Sequence, residues 1–193
     1  MKRNLLLKTA LALAIASPLM ASAESELVLG GGSAAARLDL NVVIPGLLYL
    51  GVGSGTEAIA NGGNRETIVF DYTTNPEQVG ITNSPAAEIN TSMATAGSTL
   101  PVRVFSNLGQ VVITATNPAN LVSGSDTIPF TEMSVVSDNT NLPAPGFGGG
   151  TSQPVLAGRV TDHTANWTYR YANSTKPAAG SYMGTVTYTA SLL

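Results

Sequence analysis

Polar and apolar residues alternate along residues 166–172: Trp167, Tyr169 and Tyr171 fall on one side, and Asn166, Thr168 and Arg170 on the other. The last run, 181–192, repeats the pattern. Tyr182, Gly184, Val186, Tyr188, Ala190 and Leu192 stand against Ser181, Thr185, Thr187, Thr189 and Ser191, with Met183 the one apolar residue on the polar side. Successive side chains of a strand point to opposite faces, so a period of two marks a sheet with one dry and one wet face. Residues 173–180 between the runs are rich in turn formers, including Asn173, Pro177 and Gly180. The pattern predicts an antiparallel hairpin that closes the fold.

The same period recurs upstream. Residues 36–44 place Leu38, Leu40 and Val42 against Arg37, Asp39 and Asn41, the first firm strand. After the bend at Pro45 and Gly46, residues 47–52 are continuously apolar and predict a strand buried on both faces or at a junction of sheets. Residues 66–72 predict another strand, and Val79 with Ile81 a short one. Residues 98–105 and 110–116, joined by a turn at 107–109, predict a hairpin. Pro101 places the first of these at an edge or a strand start. Residues 128–136 predict one further strand, and 154–160 lead into the closing hairpin. Glycine-rich loops are expected at 53–64 and 138–152. No apolar period of 3.6 persists, and residues 33–36 are the one short stretch compatible with a helix. Eight to ten strands without intervening helices predict an all-β, antiparallel sandwich of immunoglobulin-like or pilin-like type.

The first 23 residues read as a signal peptide rather than as structure. Lys2, Arg3 and Lys8 form a basic lead, an apolar core follows to Met20, and Ala21 and Ala23 give a small-x-small cleavage pattern. The remaining 24–193 is read as a single β-sandwich domain. The expected location is exported, in the periplasm or at the cell surface. Three of the nine basic residues lie in the signal, so the mature chain carries six basic against twelve acidic residues, a net of −6. That excludes the basic stripe that nucleic acid requires. The absence of cysteine removes a disulfide framework, a thiolate nucleophile and cysteine-based metal sites. No run after the signal is long and apolar enough for a membrane helix.

Residue chemistry points away from catalysis. His163 is the one histidine, and its neighbour Asp162 falls on the opposite face of a strand, where the two cannot pair as a triad requires. The sequences GVGSG at 51–55 and GFGGG at 146–150 lack the Lys-Ser/Thr of a phosphate-binding loop, so no cofactor is expected. Asp126 and residues 138–141 offer oxygen atoms, without the spacing of a calcium loop. Glu66, Asp71, Glu88, Glu132 and Asp162 form no recognisable pair in sequence. Trp167, Tyr169 and Tyr171 are either a core face or, on a second reading, an exposed platform for a glycan.

The final run resembles the subunits of chaperone–usher pili. Gly180 stands at the glycine that precedes the last strand in that family. Val186, Tyr188 and Ala190 fall at its alternating positions, and Leu192 stands where an aromatic is expected. The chain departs from many of those subunits in having no cysteine. Residues 43–50, 128–134 and 167–173 also look like a group of uncharacterised exported proteobacterial proteins. The resemblance implies a non-enzymatic envelope or surface protein of fimbrial or adhesive type, which assembles or binds by strand addition. The terminal-strand edge would be the acceptor, residues 24–33 with Leu27 and Leu29 the donor, and a periplasmic chaperone or sister subunits the partners. The alternative is a self-contained secreted binding module.

Overall fold

A computed structural model describes residues 24–56, 58–63, 65–81 and 98–193. The expected signal segment lies outside these residues, as does Glu88. The described chain divides into two compact units, one ending at Ile44 and one from Pro45 to Leu193.

All nine described strands lie in the second unit: β1 (Leu48–Val52), β2 (Thr99–Ser106), β3 (Val111–Thr116), β4 (Asn120–Ser123), β5 (Asp126–Pro129), β6 (Met133–Ser137), β7 (Thr151–Ser152), β8 (Thr161–Tyr171) and β9 (Thr187–Leu192). Among the described residues the only helical pieces are 3-10 turns at Pro76–Gln78 and Phe130–Glu132. Every strand pairing is antiparallel. One sheet has the order β1-β2-β8-β6, a second β7-β3-β9, and β4 and β5 form a separate hairpin. The fold is all-β and antiparallel.

Alternation creates the core. Leu100, Val102 and Val104 of β2 are buried, as are Ala165, Trp167 and Tyr169 of β8 and Val111 and Ile113 of β3. They form one apolar cluster, so the inner faces of the four-stranded and three-stranded sheets meet in a common core. Trp167 of β8 packs edge-on against Tyr188 of β9, with ring centroids 5.1 Å apart. A smaller cluster gathers Ile128 and Tyr171 with Phe70, Tyr72, Leu121, Met133 and Tyr182.

Both expected hairpins are corrected. β2 pairs with β1 and β8, whereas β3 pairs with β7 and β9. Likewise β8 lies between β2 and β6, and β9 lies beside β3. Two alternating strands with a short link can bury their apolar faces side by side or across a core. Here each link crosses from one sheet to the other.

The expected strand at 36–44 is in no sheet; the backbone there is irregular, and 33–36 is not helical. Residues 66–72 form no named strand, although Ile68 and Phe70 pack on the core. The stretch around Val79 is a 3-10 turn. The strand expected at 128–136 is broken by Pro129 into β5, a turn and β6. The run 47–52 is not buried on both faces: β1 is a half-buried edge strand.

Pro101 is the third residue of β2, near the strand start rather than in an edge strand, since β2 is flanked on both sides. Its carbonyl accepts from the Gly53 amide at 2.8 Å, and the last β1–β2 pair is Val52 with Val102. A strand residue's nitrogen and carbonyl face the same neighbour, so the missing N–H of Pro101 points past the end of β1 and removes no ladder bond.

Candidate functional site

The two flanks of the core differ. At one flank the chain crosses from β6 to β7 through residues 138–150, which plug the space between the sheets. Leu142 and Pro145 are fully buried, and Phe147 stacks on Tyr169. The Leu142 carbonyl accepts from the Trp167 indole at 3.3 Å and from the Ser137 hydroxyl at 2.7 Å. The polar start of this loop serves the same closure. Asp138 accepts from the Asn166 amide and side chain at 2.7 and 2.8 Å, which holds its carboxyl below the usual range. Asn139 donates to the Thr164 carbonyl at 2.8 Å and accepts from the Asn141 amide at 2.9 Å. Oxygens that a cation loop would need are thus engaged within the protein, and the described residues contain no group of three or more metal-ligating side chains.

At the other flank, β1 and β9 approach each other as the outer strands of their sheets. No described strand pairs with the outer edge of either. Burial thins in the same direction. The inward side chains of β2 and β3 are buried, whereas Leu48, Leu50 and Val52 of β1 and Tyr188 and Ala190 of β9 are only half-buried against the core. Among the described residues, two outer strand edges thus lie here beside a partly covered apolar layer. This is the chemistry on which an added strand docks.

The sequence-derived terminal residues map onto this flank unevenly. Val186, Tyr188 and Ala190 are half-buried and Leu192 is more exposed, with Ala190 opposite Ile113 and Leu192 opposite Val111. Gly180 lies elsewhere, in the 172–186 segment, where an added Cβ would meet Ser123 Oγ at 2.5 Å. The expected strand 181–192 is shared between two partners. Met183 bridges Val122 through two 3.0 Å backbone bonds, and pairing with β3 begins at Thr187.

Leu27 and Leu29, the expected donor residues, are exposed in the other unit. Their surroundings form a loop closed by Arg37 on Glu24 at 2.8 Å and by the Ala35 amide on Glu26 at 3.2 Å. Gly30, Gly31 and Gly32 turn the chain at positive φ, where glycine alone is unstrained. Beyond that clasp, Leu38, Leu40, Val42, Val43 and Ile44 all point their bulk into solvent. The sequence pattern marked this segment as amphipathic, and only the structure shows that it lacks a sheet.

The remaining candidates are placed as follows. His163 bonds the Val155 carbonyl at 2.7 Å through Nε2, while Asp162 lies on the outer face, 3.6 Å from Arg103. Glu66 accepts from the Ser54 amide at 2.8 Å, Glu132 from the Ser174 amide at 2.8 Å, and Asp71 from the Thr73 amide at 2.8 Å. Trp167, Tyr169 and Tyr171 are buried, so the exposed aromatic platform is corrected to a core face. A hollow of about 460 Å³, lined by residues including Thr56, Arg103, Asp138, Thr164 and Asn166, lies over the outer side of β2 and β8. No helix among the described residues is long and apolar enough to cross a membrane.

No protein-family model matches the chain, and no curated protein matches it.

Proposed function

We propose that this chain is a non-enzymatic exported envelope or surface protein that assembles or binds by strand addition at the free edge of β9. The observation that carries this reading is the flank at β9: among the described residues β9 pairs with β3 alone, and its inward face is only half-covered. An extended segment laid along β9 would satisfy backbone groups that no described strand pairs and thicken the wall over Tyr188 and Ala190. Backbone bonds would provide affinity and alternate side chains the register. Fimbrial or adhesive assembly, with sister subunits and a periplasmic chaperone as partners, is the setting in which such an edge is useful.

Hydrogen exchange on the protein at low and high concentration tests this. Amides within 187–192 that face outward should gain protection as assemblies form, while those of β2 and β8 stay unchanged. A chain that remains monomeric, with β9 exchange independent of concentration and of any extended peptide, overturns it.

The outer hollow favours a second reading as a self-contained binding module. Its Arg, Asp, Asn and Thr side chains suit a hydroxyl-rich ligand such as a glycan unit. A glycan array with no retained sugar would remove that reading.

A further inference from the structure

At the end of the second unit where β1 and β8 begin and β2 finishes, the loops are apolar, and we infer that this end docks the protein reversibly on a phospholipid surface. Three loops meet there: residues 45–47 before β1, 107–110 between β2 and β3, and 153–160 before β8. Hydrogen bonds hold them side by side. The Asn107 amide donates to the Leu47 carbonyl at 3.2 Å, the Gln110 side chain to the Pro154 carbonyl at 2.7 Å, and the Thr161 hydroxyl to the Gly109 carbonyl at 3.1 Å. On these loops Leu108, Val155, Leu47, Val160 and Leu156 are 51, 47, 40, 37 and 36% exposed. Turns ordinarily carry small and polar residues, so five large apolar side chains gathered on neighbouring turns form a patch of the kind that marks a contact surface. This attachment is separate from strand addition at β9.

Area and charge both favour lipid over a second protein. A side chain of this kind has about 60–120 Å² of apolar surface, so the exposed parts of the five total roughly 130–250 Å². A stable protein interface takes about 800 Å² from each partner, several times this patch. A bilayer surface is fluid and conforms to side chains carried on separate turns. A small apolar area moved into its headgroup boundary gives weak, reversible attachment. The chain has twelve acidic and nine basic residues, yet these three loops hold no acidic residue and one basic one, Arg159. A tight turn bridged by Ala157 and Val160, with Gly158 at φ 66°, carries Arg159 into solvent. Its stem can lie among the apolar side chains while its guanidinium meets a lipid phosphate. The first acidic side chain after these loops, Asp162, lies on the outer face 3.6 Å from Arg103.

The test uses the complete chain and phosphatidylcholine vesicles. Half of the protein should sediment with the vesicles at about 0.1 mM accessible lipid, the strength of a single acyl chain. Trp167 is fully buried, so a second tryptophan reports its own surroundings. The emission of Leu156→Trp should shift to the blue with vesicles and be quenched by brominated acyl chains. Val122→Trp, at a 47% exposed position in β4, should do neither. The double substitution Leu108→Asp, Val155→Asp should raise the lipid needed by at least about tenfold. Unchanged Trp167 emission would show that its core is intact. Protein that stays in solution at about 5 mM lipid overturns the inference, as does quenching of Leu156→Trp no greater than that of the β4 control. Binding that survives the double substitution also overturns it and points to the exposed apolar residues 38–44 as the contact. Self-association without lipid that the double substitution abolishes would make this end a protein contact, and equally overturns it.

Discussion

Asn173 joins two distant segments through one buried side chain. Its carbonyl oxygen accepts from the Gly80 amide at 2.8 Å and its amide donates to the Gln78 carbonyl at 2.7 Å. It is the one non-glycine among the described residues at positive φ, 52°. Asparagine tolerates that region better than other side chains, since it is short and polar. Two substitutions separate the two roles. Asn173→Ala loses both bonds and adds strain, and we expect a loss of about 2–4 kcal/mol in urea unfolding. Asn173→Gly loses the bonds but accepts the backbone, so it should be milder by about 1 kcal/mol. Equal losses would show that the backbone conformation carries no cost. Tyr171 tests the opposite case. Its hydroxyl is buried with no hydrogen-bond partner among the described residues, as is that of Tyr72. Tyr171→Phe removes an unsatisfied polar group while keeping the ring that packs on Phe70 and Tyr72. It should leave stability unchanged or raise it by up to about 1 kcal/mol in the same melt.

At the scale of elements, the 138–150 loop is the closure of one flank, and Leu142 is its anchor. Truncating it to alanine should cost about 3 kcal/mol and red-shift the emission of Trp167, whose indole bonds the Leu142 carbonyl. An unshifted spectrum would mean that the loop does not seal the core. This anchor was not legible in sequence, because Leu142 stands alone among Asn and Pro with no periodic neighbours. Strand identity was far more legible than strand partnership. The alternation at 98–105, 110–116, 166–172 and 181–192 gave β2, β3, the second half of β8, and β9 with six residues too many before it, together with the faces they turn inward. The period of two says which side chains turn inward but not whether a neighbour lies beside the strand or across the core. That is why both expected hairpins are sheet-to-sheet crossings. The same limit hid the status of 36–44: its pattern is that of a strand, and pairing is not encoded in the pattern. Of the candidate site, Val186, Tyr188 and Ala190 could be read directly. That β9 has β3 as its one described neighbour could not, since it depends on where β1, β3 and the 138–150 loop lie.

For the molecule as a whole, tyrosine links the core to pH. Four of the six tyrosines, Tyr72, Tyr169, Tyr171 and Tyr188, resist ionisation in the folded chain, above all because burial disfavours the phenolate. For Tyr171 the proximity of Glu132 adds to burial, and the value is pushed up to about 12 from an ordinary 10.0. The sign follows from proton counts. Between these values the unfolded chain has released a proton that the folded chain still holds, so rising pH draws the equilibrium toward unfolding. The stabilisation is complete below about pH 10 and is lost as pH climbs toward 12. Because Tyr169 and Tyr188 sit in the main core and Tyr72 and Tyr171 in the smaller one, ionisation attacks both clusters together. We therefore expect one cooperative alkaline transition. Absorbance at 295 nm should show Tyr72, Tyr169, Tyr171 and Tyr188 titrating only as the circular dichroism signal of the sheets collapses. Tyrosines that all titrate near 10 with the sheet signal intact would contradict the packing of both clusters. Tyr171→Phe should shallow the fall in stability above pH 10 without altering the melt at pH 7 by more than about 1 kcal/mol.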